Sequence, residues 1–247
     1  MYPRRVDVDG HNEMQIKNLA KSSQIYSIDA EHAILESRGQ IYANIKYNEV
    51  PERVIPQYDK DCAALPRILK LAVGARVMLR RNINCGDGWV NGARGAIVGF
   101  KWPRNARHQS MPGELTTEVY VRFLDPNVGK LSKVPVVSEQ QDVVPIQPIS
   151  ARFYGKEGTL LQRTQIPLIL GWAATIHEVQ GLSLDAAVMH LGKDVFEPGM
   201  VYVALSHVRI LNGVALLNFQ PKKMTANKRV HEEMARLRQE SAHSGEE

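Results

Sequence analysis

Potential ligands crowd most closely in the stretch from Gly171 to Asp185, and three kinds of chemistry can be asked of it and its surroundings. His177-Glu178 opens the pattern H-E-x-x-H, in which two histidines one helical turn apart bind zinc and the glutamate acts as base. The second histidine position is Gly181, so zinc hydrolysis fails. A phosphate cradle needs G-x-x-x-x-G-K-[ST], so that backbone amides and one lysine meet the phosphates. The Gly-Lys pairs at 129–130, 155–156 and 192–193 lack both the following Ser or Thr and the earlier glycine. No apolar strand ends in Asp-Glu to hold magnesium. Cys62 and Cys85 have no metal-like spacing, so no metal site is expected. Binding chemistry remains. Arg67, Lys70, Arg76, Arg80 and Arg81 follow one another with no acid between them. Lys101, Arg104 and Arg107 form a second group, and Lys222, Lys223, Lys228 and Arg229 a third. Such clusters suit a polyanion lying across the surface, although a solvated basic face explains any single one equally well.

The elements around Gly171–Asp185 must position these groups. Pro167–Leu170 and Ala186–Leu191 read as buried strands, and Trp172–Gln180 as a short helix between them. Gly181 would end that helix in the left-handed conformation that a Cβ disfavours. Trp172, Ile176 and Val179 would share its buried face, and His177 and Gln180, three apart, would reach one ligand from a neighbouring face. Strand, short helix, glycine, strand is how an α/β fold presents side chains at the edge of a parallel sheet.

Elsewhere, Met1 to about Asp29 reads strand, helix, strand, with Val6 and Val8 alternating and Asp9 capping a helix that carries Met14, Ile16 and Leu19. Ala30–Pro66 reads as loops with one short helix, because Pro51, Pro56 and Pro66 break it. Short β-rich runs follow at Leu69–Val73, Arg76–Arg80, Gly95–Phe100, Glu118–Phe123 and Leu131–Val137. Asn91-Gly92 turns the chain, and Lys101–Thr117 is a polar excursion that reads as a mobile loop. This is the pattern of a small barrel. The α/β pattern resumes near Gln165, with a helix over Met200–His207, a turn at Asn212-Gly213 and a strand over Val214–Phe219. Thr225 would cap a last helix bearing Val230, Met234 and Leu237, and residues 241–247 read as a disordered tail.

Four blocks in one order carry a resemblance. Thr175-Ile-His-Glu-Val-Gln-Gly181 resembles motif V of the Pif-type (petite integration frequency) DNA helicases and their helitron-transposon relatives, written T-I-H-K-S-Q-G. Tyr202-Val-Ala-Leu-Ser-His-Val208 resembles their motif VI, Y-V-A-L-S-R-V, and Tyr2–Val8 with Asn12 resembles motif IV. Val73–Asn82 with Asn91–Gly95 resembles the start of their inserted SH3-like domain. The resemblance implies an α/β RecA-like second helicase domain in 1–68 and 165–240, interrupted over 69–164 by an SH3-like β-barrel. It implies that Thr175, His177 and Gln180, together with Arg76, Arg80 and Arg81, contact single-stranded DNA. Gly181 and Tyr202 would lie at the nucleotide, and Arg4 or Arg5 would supply charge to the γ-phosphate. ATP and magnesium would be used by the intact helicase, moving five-prime to three-prime, through a first RecA-like domain preceding Met1; neither is expected to bind this chain tightly.

The chain departs from the family's pattern in four places. Glu178 replaces a lysine, Val179 a serine and Met200 a glutamine, and His207 stands at the arginine-finger position of motif VI. A neutral imidazole offers no fixed fork of donors to a phosphate, so hydrolysis is expected to be slow and His207→Arg to accelerate it. Arg209 is two residues on and would point roughly 200° away if the helix continued. A non-enzymatic nucleic-acid-binding remnant and a protein-interaction module stand as alternatives to the enzyme. The net charge of +5, two cysteines and no membrane-length apolar run imply a protein inside the cell, not a membrane one. The resemblance points to the nucleus first and the mitochondrion second, and to repair, recombination and telomere maintenance.

Overall fold

Period-two alternation in the β-rich runs is what organises most of the molecule. The computed structural model describes residues 1–37, 40–41, 50–103, 115–136 and 141–243. By contact the chain forms two units, Met1–His11 with Ala173–Glu247, and Asn12–Trp172. Helix α1 (Arg5–Leu19) contributes to both units and starts earlier than expected, taking in Val6 and Val8, which had read as strand. Val8, Asn12 and Ile16, each four apart, are its buried positions, while Val6 is exposed. That is helical spacing, which a four-residue alternation is too short to distinguish from a strand.

In the larger unit, β1 (Tyr26–Asp29) pairs antiparallel with β4 (Ile68–Leu71). A six-stranded antiparallel sheet follows, ordered β12 (Leu168–Leu170), β5 (Arg76–Leu79), β6 (Arg94–Lys101), β7 (Glu118–Phe123), β9 (Gln141–Ile146) and β8 (Val134–Val136). Alternate residues, among them Val77, Leu79, Ile97, Val119 and Val121, point into one core with Ile16, Ile28 and Leu168. The opposite face carries Arg76. Leu168–Leu170, expected at the edge of a parallel sheet, instead pairs antiparallel with β5, and Trp172 packs against this core. Gly92 in the Asn91-Gly92 turn has φ +96°. The loop expected over Lys101–Thr117 lies mostly outside the described residues.

A second sheet in this unit corrects the expectation of loops over Ala30–Pro66. β2 (Glu31–Ser37) and β3 (Gln40–Ile41) join β10 (Ile149–Tyr154) and β11 (Leu160–Gln165) in the order β10-β11-β2-β3. Two 3-10 turns, Glu52–Val54 and Asp59–Asp61, follow the short strands. The prolines break helices but leave strands formed by distant partners untouched. Beneath this sheet Arg163, 1 % exposed, donates to His32 Nε2 at 2.8 Å, Asp59 Oδ1 at 3.0 Å and the Leu65 carbonyl at 2.7 Å.

The smaller unit holds the parallel pairing found among the described residues. β13 (Ala187–His190) pairs with β14 (Val214–Leu217), and parallel bridges join Tyr2 to Thr175 and Leu184 to Val208. Met1 accepts the His190 amide at 3.0 Å, so the first residues run beside β13. Helix α2 (Met200–Ser206) buries Met200, Val201 and Ala204 against Ile176, Met189, Leu191 and Val195. Helix α3 (Lys228–His243) is capped by Asn227, whose side chain accepts the Arg229 amide at 3.0 Å, and not by Thr225. Its Val230, Met234 and Leu237 are exposed, and it runs into the stretch expected to be disordered; 244–247 lie outside the described residues. Among the described residues no helix is long and apolar enough to cross a membrane.

Candidate nucleic-acid interface

The helix expected over Trp172–Gln180 is a tight turn instead. Thr175 and Glu178 exchange hydrogen bonds as a capping box: the Thr175 amide donates to Glu178 Oε2 at 3.0 Å, and the Glu178 amide donates to Thr175 Oγ1 at 3.1 Å. The box opens a helix that does not propagate. Gln180 N bonds His177 O and Leu182 N bonds Val179 O, each three residues back, and Gly181 at φ +85° turns the chain away. Ile176 and Val179, 1 % and 3 % exposed, anchor the turn inward, so His177 and Gln180, each the next residue after one of them, are both presented to solvent. Backbone bonds of 3.1 Å from Tyr2 N to Ala174 O and from Ile176 N to Tyr2 O fix its base.

Arg5 bonds the remaining reach of the Glu178 carboxylate and also Asp9 Oδ1, the latter at 3.0 Å. Arg4 pairs with Asp194 at 3.1 Å. Both arginines are half exposed. Tyr2 is held by its hydroxyl against His11 Nδ1 at 3.1 Å and by stacking on His190, ring centroids 4.4 Å apart. Burial, then the N-terminal charge and His190, holds the His11 imidazole below its usual range. Tyr202 is largely exposed on α2.

His207 follows α2 directly. It is 7 % exposed, with a buried Nε2 that finds no partner among the described residues. Since α2 ends at Ser206, the geometric case against Arg209 lapses, and Arg209 is exposed, 3.7 Å from Asp185.

The expected DNA-contacting residues divide between the units. Thr175, His177 and Gln180 belong to the smaller, and Arg76, Arg80 and Arg81 to the larger. Arg76 is exposed on β5, while Arg81 donates to the Ala63 carbonyl at 3.3 Å. Sequence reasoning missed the loop Gly192–Gly199, where Glu197 Oε2 lies 3.6 Å from His177 Nε2 and Lys223 Nζ donates to Val195 O at 3.0 Å. Its signal was two glycines bracketing an aromatic among charges. Among the described residues no group of His, Cys, Asp and Glu could hold a metal ion.

These features describe a mixed α/β helicase-type fold, and comparison with known proteins agrees. The signature of the family "DNA helicase Pif1, 2B domain" matches residues 61–100. The ATP-dependent DNA helicase PIF1 of Danio rerio is 38% identical over 174 residues, 70% of this chain and 23% of the relative. That of Homo sapiens is 34% identical over 208 residues, 84% of this chain and 28% of the relative. The crystal structure of Pif1 helicase from Candida albicans superposes with a TM-score of 0.67 at 24% identity, covering 96% of this chain and 48% of that one. A Bacteroides Pif1 helicase in complex with ADP-AlF3 and ssDNA superposes with a TM-score of 0.58 at 21% identity, covering 97% and 46%. The chain belongs to the Pif-type helicase family. It spans about a quarter of the length of the curated relatives it matches.

Proposed function

We propose that this chain is the part of an ATP-dependent DNA helicase that grips single-stranded DNA and forms the far side of the ATP cleft. In this reading the smaller unit is the second RecA-like domain and the six-stranded sheet belongs to an SH3-like insertion. The intact enzyme would use ATP and magnesium, bound mainly by a first RecA-like domain, and move five-prime to three-prime, in the nucleus or mitochondrion. The observation that carries the reading is the capped turn, which buries Ile176 and Val179 and so offers His177 and Gln180 together to one ligand. A turn built only for stability has no need to expose both polar side chains on a rigid base.

The test is binding of a fluorescent single-stranded oligonucleotide over a range of salt. Binding is expected to be weak and to fall steeply with salt, as counterion release requires. The double variant His177→Ala/Gln180→Ala is expected to lose several-fold in affinity with an unchanged melting temperature. Wild-type binding that ignores salt, or a double variant indistinguishable from wild type, would sink the proposal.

A further inference from the structure

The loop Gly192–Gly199 is tied down almost residue by residue. A Cβ on Gly192 would lie 2.9 Å from the Asn218 carbonyl oxygen, so the backbone runs close there. Asp194 pairs with Arg4 at 3.1 Å. Val195, 3 % exposed, is sunk in the core, and its carbonyl accepts Lys223 Nζ at 3.0 Å. Glu197 lies 3.6 Å from His177, and the Gly199 amide donates to the Thr225 carbonyl at 2.6 Å. Arg4, His177 and Lys223, far apart in sequence, thus converge on one short loop. Phe196, at its middle, is 56 % exposed and has no ring partner among the described residues.

A large apolar ring held out from a fixed loop keeps its surface in water, at a cost of the order expected for leaving a phenylalanine unburied. Its neighbours choose the ligand. An apolar protein partner wants a contiguous apolar patch, whereas the loop around Phe196 carries Lys193, Asp194 and Glu197, with Lys193, Glu197 and Pro198 exposed. A single flat ring on a loop that gathers Arg4, Lys193, Lys223 and the His177 imidazole, with Asp194 and Glu197 partly offsetting them, matches a flat ligand joined to phosphates. Stacking on an aromatic ring is how single strands are held without sequence preference, with basic side chains following the backbone.

We infer that Phe196 is a stacking platform for one base of a single-stranded nucleic acid, with Arg4, Lys193 and Lys223 placed for the adjoining phosphates. The inference rests on the reading of the chain as a single-strand-binding part of a helicase. Because the loop is pinned on both sides, the ring is already in place before the strand arrives, and little side-chain freedom is lost on binding.

The experiment uses the 247-residue chain, an oligothymidine and an oligothymidine of equal length with abasic sites throughout its middle. Phe196→Ala is expected to weaken binding to the base-bearing strand by about five- to a hundredfold. The slope of affinity against salt is expected to stay the same, because no phosphate contact is lost. Phe196→Trp is expected to retain binding, and all three proteins to melt within a few degrees of one another, since the ring is 56 % exposed. On the abasic strand, wild type and Phe196→Ala are expected to bind equally. Two results overturn the inference: no loss for Phe196→Ala on the base-bearing strand, or an equal loss on the abasic one. Wild type that binds neither strand in a salt-dependent way overturns the single-strand reading itself, and this inference with it. Salt-dependent wild-type binding that Phe196→Ala leaves intact overturns this inference alone.

Discussion

At the scale of single residues, Glu178 carries more than its place in a motif suggests. The family has lysine there, and lost positive charge is the obvious consequence. The carboxylate nevertheless accepts the Thr175 amide and pairs with Arg5, and its side chain is only 12 % exposed. Glu178→Lys therefore removes the returning half of the capping box and sets a cation against Arg5. A lost cap costs about 1 kcal/mol, and the new repulsion adds to it. The expected outcome is a lower melting temperature together with a salt slope steeper by at most about one unit, from one added phosphate contact. Glu178→Gln keeps an acceptor for the amide and is expected to lie between. Differential scanning calorimetry beside oligonucleotide titrations checks both; a Glu178→Lys protein that melts with wild type would show that the box is dispensable. His207 teaches a related lesson. Read by motif it is a weakened finger, and its side chain is only 7 % exposed, so the longer arginine of His207→Arg must find room there and a melting curve belongs beside the turnover measurement.

Among elements, the sheet β10-β11-β2-β3 is where ionisation is tied to structure. Arg163 Nε donates to His32 Nε2, which requires an unprotonated nitrogen there. Burial first, and then the Arg163 and Arg67 guanidinium groups, push the His32 pKa down to about 4. The unfolded chain binds that proton near pH 6.5. The folded value is depressed, so the stabilisation is complete above about pH 6.5 and is lost as pH falls towards 4. The loss amounts to something on the order of 3 kcal/mol, at about 1.4 kcal/mol per pKa unit. Urea unfolding at pH 7 and pH 4.5 is expected to show it, and His32→Gln, which keeps a neutral acceptor, to flatten the dependence. An equal pH dependence in His32→Gln would place the proton elsewhere. This sheet was also the least legible part of the sequence. Its strands pair residues more than a hundred apart, such as Leu161 with Ile34, and nothing local announces a distant partner. By contrast β5, β6 and β7 could be read within a residue or two, because alternation and turn chemistry are local signals. The turn at Thr175–Gly181 lay between these cases. Its glycine and exposed polar pair were readable, whereas the spacing of Trp172, Ile176 and Val179 imitated a helix that the cap and Gly181 together cut short.

For the molecule as a whole, the sequence supplies binding surfaces without a phosphate cradle, since no G-x-x-x-x-G-K-[ST] occurs in its 247 residues. Calorimetric titration of the chain with a non-hydrolysable ATP analogue and magnesium is expected to give no saturable binding in the low micromolar range. Saturation there would mean that the smaller unit builds a nucleotide site from its own residues.

The arrangement of the first residues has a consequence for how the protein is made. Met1 and Tyr2 lie in register beside Thr175 and His190, while residues 12–172 form the other unit. On the ribosome residues 12–172 can therefore emerge in full before the strands that pair with residues 1–11 exist. At about 5–20 residues per second, the roughly 170 residues between Tyr2 and Thr175 take on the order of ten to thirty seconds to appear. For that interval residues 1–11 wait for Ala173–Glu247, the rest of their unit. Substitutions that lengthen the wait, or that let residues 1–11 find another strand, act on yield during synthesis even when the finished protein is no less stable.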